Sequence, residues 1–158
     1  MTLVAVLLLA QTQVQDKPYA KEIAEFKRQD AAAPPAKGQI VFIGSSSFTR
    51  WSKVGEAFPT RRILNRAFGG SQLRDVTLWL DDVVFAYEPR QVVLYCGEND
   101  FAADESLEPP TVVRASRPVP GPPPVPNVDF IYVSMKPSPA AGTWRPSSAP
   151  PTNPSGPF

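Results

Sequence analysis

"QIVFIG", residues 39–44, is the stretch whose reading decides the fold. It is a continuous apolar run, rich in β-branched side chains, that ends in a glycine. It is too short for a buried helix, so it predicts a strand covered on both faces, as in a parallel sheet. Three further runs share its character. "RRILNRAFGG" (61–70) predicts a shorter strand over 63–67, "QVVLYCG" (91–97) one over 91–96, and "VDFIYVSM" (128–135) one over 129–134. Between the second and third, "SQLRDVTLWLDDVVFAYEP" (71–89) places Leu73, Val76, Leu80, Val83 and Val84 at helical spacing, with Pro89 as a stop. Ahead of the first, "YAKEIAEFKRQD" (19–30) predicts a short amphipathic helix, broken by "AAAPPAKG". Strands alternating with helical stretches predict βαβ units: an α/β protein, a three-layer sandwich around a central parallel sheet.

The 158 residues allow one domain. A net charge of +1, with no cluster of lysines among aromatics, argues against a nucleic-acid partner. The chain holds 20 prolines, and two stretches concentrate them. Residues 109–126 contain eight prolines where a crossover between the third and fourth strands is needed, and the tail from Pro137 contains seven more. Proline removes an N–H donor and breaks a helix interior, so 109–126 and 140–158 are expected to be irregular. The single cysteine, Cys96, lies within the third strand's apolar run and reads as a buried, inert thiol.

"TLVAVLLLA" (2–10) carries no charge and is too short to span a bilayer. It has the length of a signal-peptide core, so residues 1–15 are read as a signal peptide and the protein as secreted or periplasmic. The alternative is a first helix or strand of the fold. No second apolar span follows, so no membrane-spanning segment is expected.

In an open parallel sheet, ligands bind outside the carboxyl ends of the strands. Three successive strands end there in motifs able to carry chemistry: "GSSS" (44–47), "FGGS" (68–71) and "GEND" (97–100). A serine on a sharp strand-to-helix turn can project its hydroxyl into the crevice. A glycine lets its backbone N–H approach a substrate oxygen, and an asparagine amide adds an uncharged donor. Together these are the parts of a nucleophile with an oxyanion hole. Each also has a plainer reading: turn residues at Ser46 and at Gly69–Gly70, and a helix cap or Asx-turn at Asn99. Asp75, Asp81 and Asp82 read as a solvated helix face. Trp51 reads either as a pocket wall or as core. No His/Cys cluster and no ligand-spaced carboxylates occur, so no metal is expected. The glycines do not form G-x-G-x-x-G, which tells against a nucleotide or flavin cofactor.

The three blocks resemble, in order and at a spacing of about 25 to 30 residues, those of the SGNH (GDSL-type) esterase and lipase superfamily. "IVFIGSSSFTRW" is similar to its G-D-S block: Gly44 matches the glycine, Ser45 stands at the aspartate position and Ser46 matches the nucleophile. In "ILNRAFGGSQLRDV", Gly70 matches the oxyanion glycine. In "VVLYCGENDF", Asn99 matches the oxyanion asparagine, and Asp100 is an adjoining acid with a structural role. The resemblance covers residues 39–101 and extends more loosely over 127–139.

The resemblance implies a flavodoxin-like strand order 2-1-3-4, a partial hydrolase domain over 16–139 and an irregular tail over 140–158. It also implies a serine esterase acting on carboxylic esters, acetyl esters included, with a small-molecule or carbohydrate ester as substrate and no cofactor. The superfamily's last block, D-x-x-H, supplies the acid and the base. These 158 residues contain no histidine and so no such block, and a fifth strand and terminal helix are likewise missing. An impaired esterase is therefore expected. The alternative is a non-catalytic remnant or a weak ligand-binding protein, and Lys136 is the one candidate for a substitute base.

Overall fold

The computed structural model describes residues 17–104 and 128–135. The expected signal peptide (1–15), the proline-rich stretches 109–126 and 140–158, and Lys136 lie outside the described residues.

The elements run in the expected order: α1 (Ala20–Ala32), β1 (Ile40–Gly44), α2 (Ser46–Arg50), α3 (Val54–Ala57), β2 (Ile63–Asn65), α4 (Leu73–Leu78), α5 (Leu80–Val83), β3 (Gln91–Tyr95), α6 (Glu98–Ala103) and β4 (Asp129–Tyr132). The sheet is parallel throughout, in the order β2-β1-β3-β4, with β1 and β3 paired along their whole length from Ile40↔Gln91 to Gly44↔Tyr95.

Side chains alternate across the strands with a period of two, which divides the core into two layers. Val41, Ile43, Val92, Leu94 and Cys96 face one side, where they meet Ile23 of α1, Val76 of α4, and Trp79 and Val83. Ile40, Phe42, Val93 and Tyr95 face the other, against Phe48 of α2 and Val54 of α3. All five residues of β1 are buried, as a central strand with helices on both faces requires.

Two details of the sequence reading change. The helix expected across 71–89 is broken into α4, α5 and a short 3-10 turn over Phe85–Tyr87. Trp79 is at once the end of α4 and the cap of α5. Its indole lies buried with its N–H donated to the Pro18 carbonyl at 2.8 Å, so anchoring to the start of α1 overrides helical continuity. Asp75, expected on a solvated face, is buried: its carboxylate accepts the Gln72 N–H at 2.9 Å and closes a capping box at the start of α4. Asp81 is exposed, and Asp82 pairs with Lys27 at 2.6 Å.

The edge of α1 is tied down by a polar cluster. Arg66 is buried, ion-paired with Asp30 and bonded through Nε to the Tyr87 hydroxyl at 2.8 Å; Tyr87 in turn donates to Asp30 at 2.6 Å. Among the described residues no helix is long and apolar enough to cross a membrane.

Candidate active site

The carboxyl ends of β1 and β3 and the loop after β2 meet in a hydrogen-bonded knot. Gly44 ends β1 at φ +125°, and its backbone lies so close to β3 that an added Cβ would stand 2.0 Å from the Tyr95 carbonyl oxygen. Ser45 N–H donates to that same oxygen at 3.0 Å, and the chain then turns into α2 with Ser46 as its first residue. After β2, Phe68 N–H donates to the Gly44 carbonyl at 2.9 Å and the Ser71 hydroxyl donates to it at 3.2 Å. Gly70 lies between these two residues at φ +83°, a backbone conformation that favours glycine. A Cβ on Gly69 would lie 4.0 Å from the Thr49 side chain, so the glycine corner approaches α2 one turn on from Ser46.

The third block closes the knot. Asn99, on the first turn of α6, donates its side-chain amide to the Ser45 hydroxyl at 2.7 Å and to the Ser71 carbonyl at 2.9 Å. Gln72 donates its own amide to the Asn99 carbonyl at 3.1 Å. Asp100 accepts the Leu73 N–H with both carboxylate oxygens, at 3.1 and 3.2 Å, tying α6 to the start of α4. Burial raises the Asp100 carboxyl above its ordinary range, and the Leu73 N–H works against that shift. This is the structural role expected of the adjoining acid.

The three blocks thus meet at one edge of the sheet. Asn99 takes part in the bonds directly, while Ser46 and Gly70 each stand one residue from a bonded neighbour. Ser46 is half-buried and Gly70 exposed, whereas Ser45 is 1% exposed. Among the described residues no hydrogen bond engages the Ser46 hydroxyl.

Sequence reasoning did not assign a contact to Ser45, nor any role to Ser71 and Gln72, which hold Asn99. The only available signal was that these serines and the glutamine adjoin the recognised glycines. The Asn99 amide differs from the free donor expected of it, since both its hydrogens are committed to internal acceptors. Trp51 is exposed, edge-on to Phe42 at 6.3 Å and beside the exposed Phe58 at 6.0 Å.

Cys96 lies beneath the knot, fully buried, with its Sγ 3.5 Å from the Ser71 carbonyl, and burial pushes its thiol up to about 12. Tyr132, whose hydroxyl donates to the Cys96 carbonyl at 3.0 Å, is pushed up to about 12 by the same cause. Both groups ionise earlier in the unfolded chain. Below about pH 7.5 they are neutral in both states and stability is unaffected. Above it the unfolded state gains up to about 1.4 kcal/mol per pH unit from each, so stability is lost as pH rises toward 12. Urea midpoints at pH 8 and pH 10.5 should differ accordingly, and Cys96 should resist iodoacetamide at pH 8 until the chain is unfolded. Rapid native-state labelling would contradict this placement. Among the described residues no group of three or more metal-ligating side chains is assembled.

No family model matches the sequence, and no curated protein matches it. Among solved structures the chain is similar to a protein provisionally described as a platelet activating factor from Streptococcus pneumonia (22% identity, TM-score 0.48, covering 73% of this chain and 51% of that one). It is also similar to a GDSL-like lipase from Bacteroides thetaiotaomicron (21%, TM-score 0.48, 59% and 48%). A third is a protein provisionally described as an acylhydrolase from Bacteroides fragilis (18%, TM-score 0.46, 75% and 56%). The chain spans about half the length of the structures it matches.

Proposed function

We propose that the strand-end crevice is an ester-hydrolysing site of the SGNH type. Ser46 is the nucleophile, the Gly70 N–H and the Asn99 amide are the oxyanion donors, and a carboxylic ester, acetyl esters included, is the substrate. The observation that carries this reading is the position of Asn99. Its amide bridges the end of β1 and the loop after β2, at 2.7 Å from Ser45 and 2.9 Å from Ser71. A donor poised between the nucleophile's turn and the glycine corner is what stabilisation of a tetrahedral oxyanion requires. The amide becomes available when a substrate oxygen replaces one of its internal acceptors.

The chain holds no histidine to take the serine's proton, so the site is an impaired one. The same fact favours a second reading, a crevice that binds its ligand without turning it over. Imidazole added from solution separates the two. In the first reading, imidazole raises hydrolysis of p-nitrophenyl acetate above the buffer-plus-imidazole rate; Ser46→Ala removes the increment, and Asn99→Ala lowers it by about 10²-fold. An increment that survives Ser46→Ala would leave only the binding reading. With residues 1–15 acting as a signal peptide that is removed on export, the mature chain would act outside the cytoplasm.

A further inference from the structure

Trp51 and Phe58, at the ends of α2 and α3, are two of the largest exposed apolar side chains among the described residues, at 40% and 42%. Their rings meet at 6.0 Å, so they form one patch. The patch is rooted in the core: Trp51 also stands 6.3 Å from Phe42 and 6.4 Å from Phe48, both buried under α2. Rings held in this way lose little freedom when a partner covers them.

The charge around the patch has one sign. From Ser45 to Leu73 the sequence holds a single acid, Glu56, against the exposed cations Arg50, Lys53, Arg61 and Arg62. Glu56 is taken up by Lys53, at 3.6 Å. Among the described residues no acid pairs with Arg50, Arg61 or Arg62. Arg50 precedes Trp51 directly, and the Arg61 N–H donates to the Phe58 carbonyl at 2.9 Å, so the turn that carries Phe58 also carries the arginines.

An apolar pair rimmed by unpaired cations calls for an occupant that is apolar within and anionic at its surface. A second copy would set like charges against each other. The proline-rich stretches 109–126 and 140–158 contain arginines and no acid, so they offer no charge complement either. A single-stranded nucleic acid has the charge, but its bases stack on open ring faces. Trp51 is instead wedged among three rings at 50°, 54° and 88° to its plane. A bilayer surface bearing anionic lipids meets both demands: tryptophan and phenylalanine seat at the boundary of headgroups and acyl chains, and arginine reaches the phosphates.

We propose that this face docks the protein peripherally on an anionic lipid surface, with Trp51 and Phe58 entering the interface and Arg50, Lys53, Arg61 and Arg62 at the headgroups. The proposal does not rest on the ester-hydrolysing reading, and its test needs no turnover. The full chain is sedimented with sucrose-loaded vesicles of phosphatidylcholine, with and without about 30% phosphatidylglycerol. Binding to the anionic vesicles is expected to be at least ~10-fold stronger than to the neutral ones, and to be lost as salt is raised from about 0.1 to 0.5 M. Arg61→Gln with Arg62→Gln should weaken it roughly 25-fold, about fivefold for each arginine. Trp51→Ser with Phe58→Ser should weaken it about 10-fold or more. Circular dichroism checks that each double variant is folded, and the arginine pair, fully at the surface, decides the matter if the aromatic pair is not.

Insertion has its own signature. In a Trp144→Phe chain, brominated acyl chains should quench Trp51, while Trp79 is buried and stays unaffected. Residues 2–10 are also apolar. Binding through them would be as strong on neutral vesicles and indifferent to all four substitutions, and either result would overturn the proposal. So would a 20-nucleotide single strand that displaces the chain from vesicles at equal phosphate, which would assign the patch to nucleic acid. A dimer that Trp51→Ser dissociates would assign it to a second copy and overturn it likewise.

Discussion

Replacing Gly44 by alanine is expected to leave the chain unfolded. The new Cβ would stand 2.0 Å from the Tyr95 carbonyl oxygen and 2.7 Å from its carbon, and both are backbone atoms of the neighbouring strand. No side-chain rotation relieves a clash with backbone. Relief requires β1 and β3 to part, and these are the two central strands on which both core layers rest. The residue also sits at φ +125°, where an L side chain is strained whatever the space. A domain of this size holds about 5–15 kcal/mol of net stability, and a loss of more than ~4–5 kcal/mol is reserved for changes of this severity.

Far-UV circular dichroism and urea titration read the result. A Gly44→Ala chain whose cooperative transition lay within about 1 kcal/mol of the parent would overturn the description of the β1 end. Gly38→Ala is the control for backbone conformation alone: φ is +72° but no atom lies within 4 Å of the added Cβ, so the cost should be only about 1–2 kcal/mol. Gly55→Ala, inside α3 with open space around it, should stabilise by about 0.5–1 kcal/mol.

Without added imidazole, the 158-residue chain is expected to hydrolyse simple acetyl esters only slightly above background. A serine hydroxyl at neutral pH is a weak nucleophile until a neighbouring base takes its proton. The Ser46 hydroxyl has no hydrogen-bond partner among the described residues, and the sequence has no histidine to supply one. In the proposed site, oxyanion donors at Gly70 and Asn99 would stabilise a tetrahedral intermediate but would not generate the alkoxide that forms it. Loss of a triad member costs about 10⁴-fold or more, and the oxyanion donors retain only a residue of catalysis. It follows that Ser46→Ala should change the unassisted rate little, because no working triad is broken. Initial rates for the parent and the variant, compared with buffer, decide the matter. Turnover of an activated ester at about 10 s⁻¹, abolished by Ser46→Ala, would mean that another base exists, and Lys136 would be the first residue to replace.

The layout of the site was legible because its signals are local. A strand that ends in glycine and passes into serines, or into Asn-Asp, announces a turn at a strand end. Three such ends in a parallel sheet face the same edge, whichever order the strands take. The internal wiring was not legible. Asn99 bonds Ser45 across 54 residues and Ser71 across 28, and which of three adjacent serines turns inward depends on the backbone rotation at Gly44. Spacing along the chain carries no trace of that rotation. Asp75 illustrates the same limit. Charge and periodicity place it on an outer helix face, but the position of α4's first turn aims its carboxylate at the Gln72 N–H instead.

By itself the sequence determined the α/β class, the position of each strand to within two residues and the two-faced burial of β1. Each of these follows from the period and length of apolar runs, which a chain must bury to fold at all. The strand order came from the likeness of the three blocks to an esterase superfamily, and the hydrogen-bonded sheet bears it out as β2-β1-β3-β4. Only the tertiary structure decided that Trp79 splits a helix to reach Pro18, that Asn99's amide is already engaged, and that Arg66 is buried against Asp30 and Tyr87. The physical reason is common to all three. Each depends on partners far apart in the chain, and their meeting is fixed by how the sheet's two covering layers pack rather than by any local preference of the residues involved.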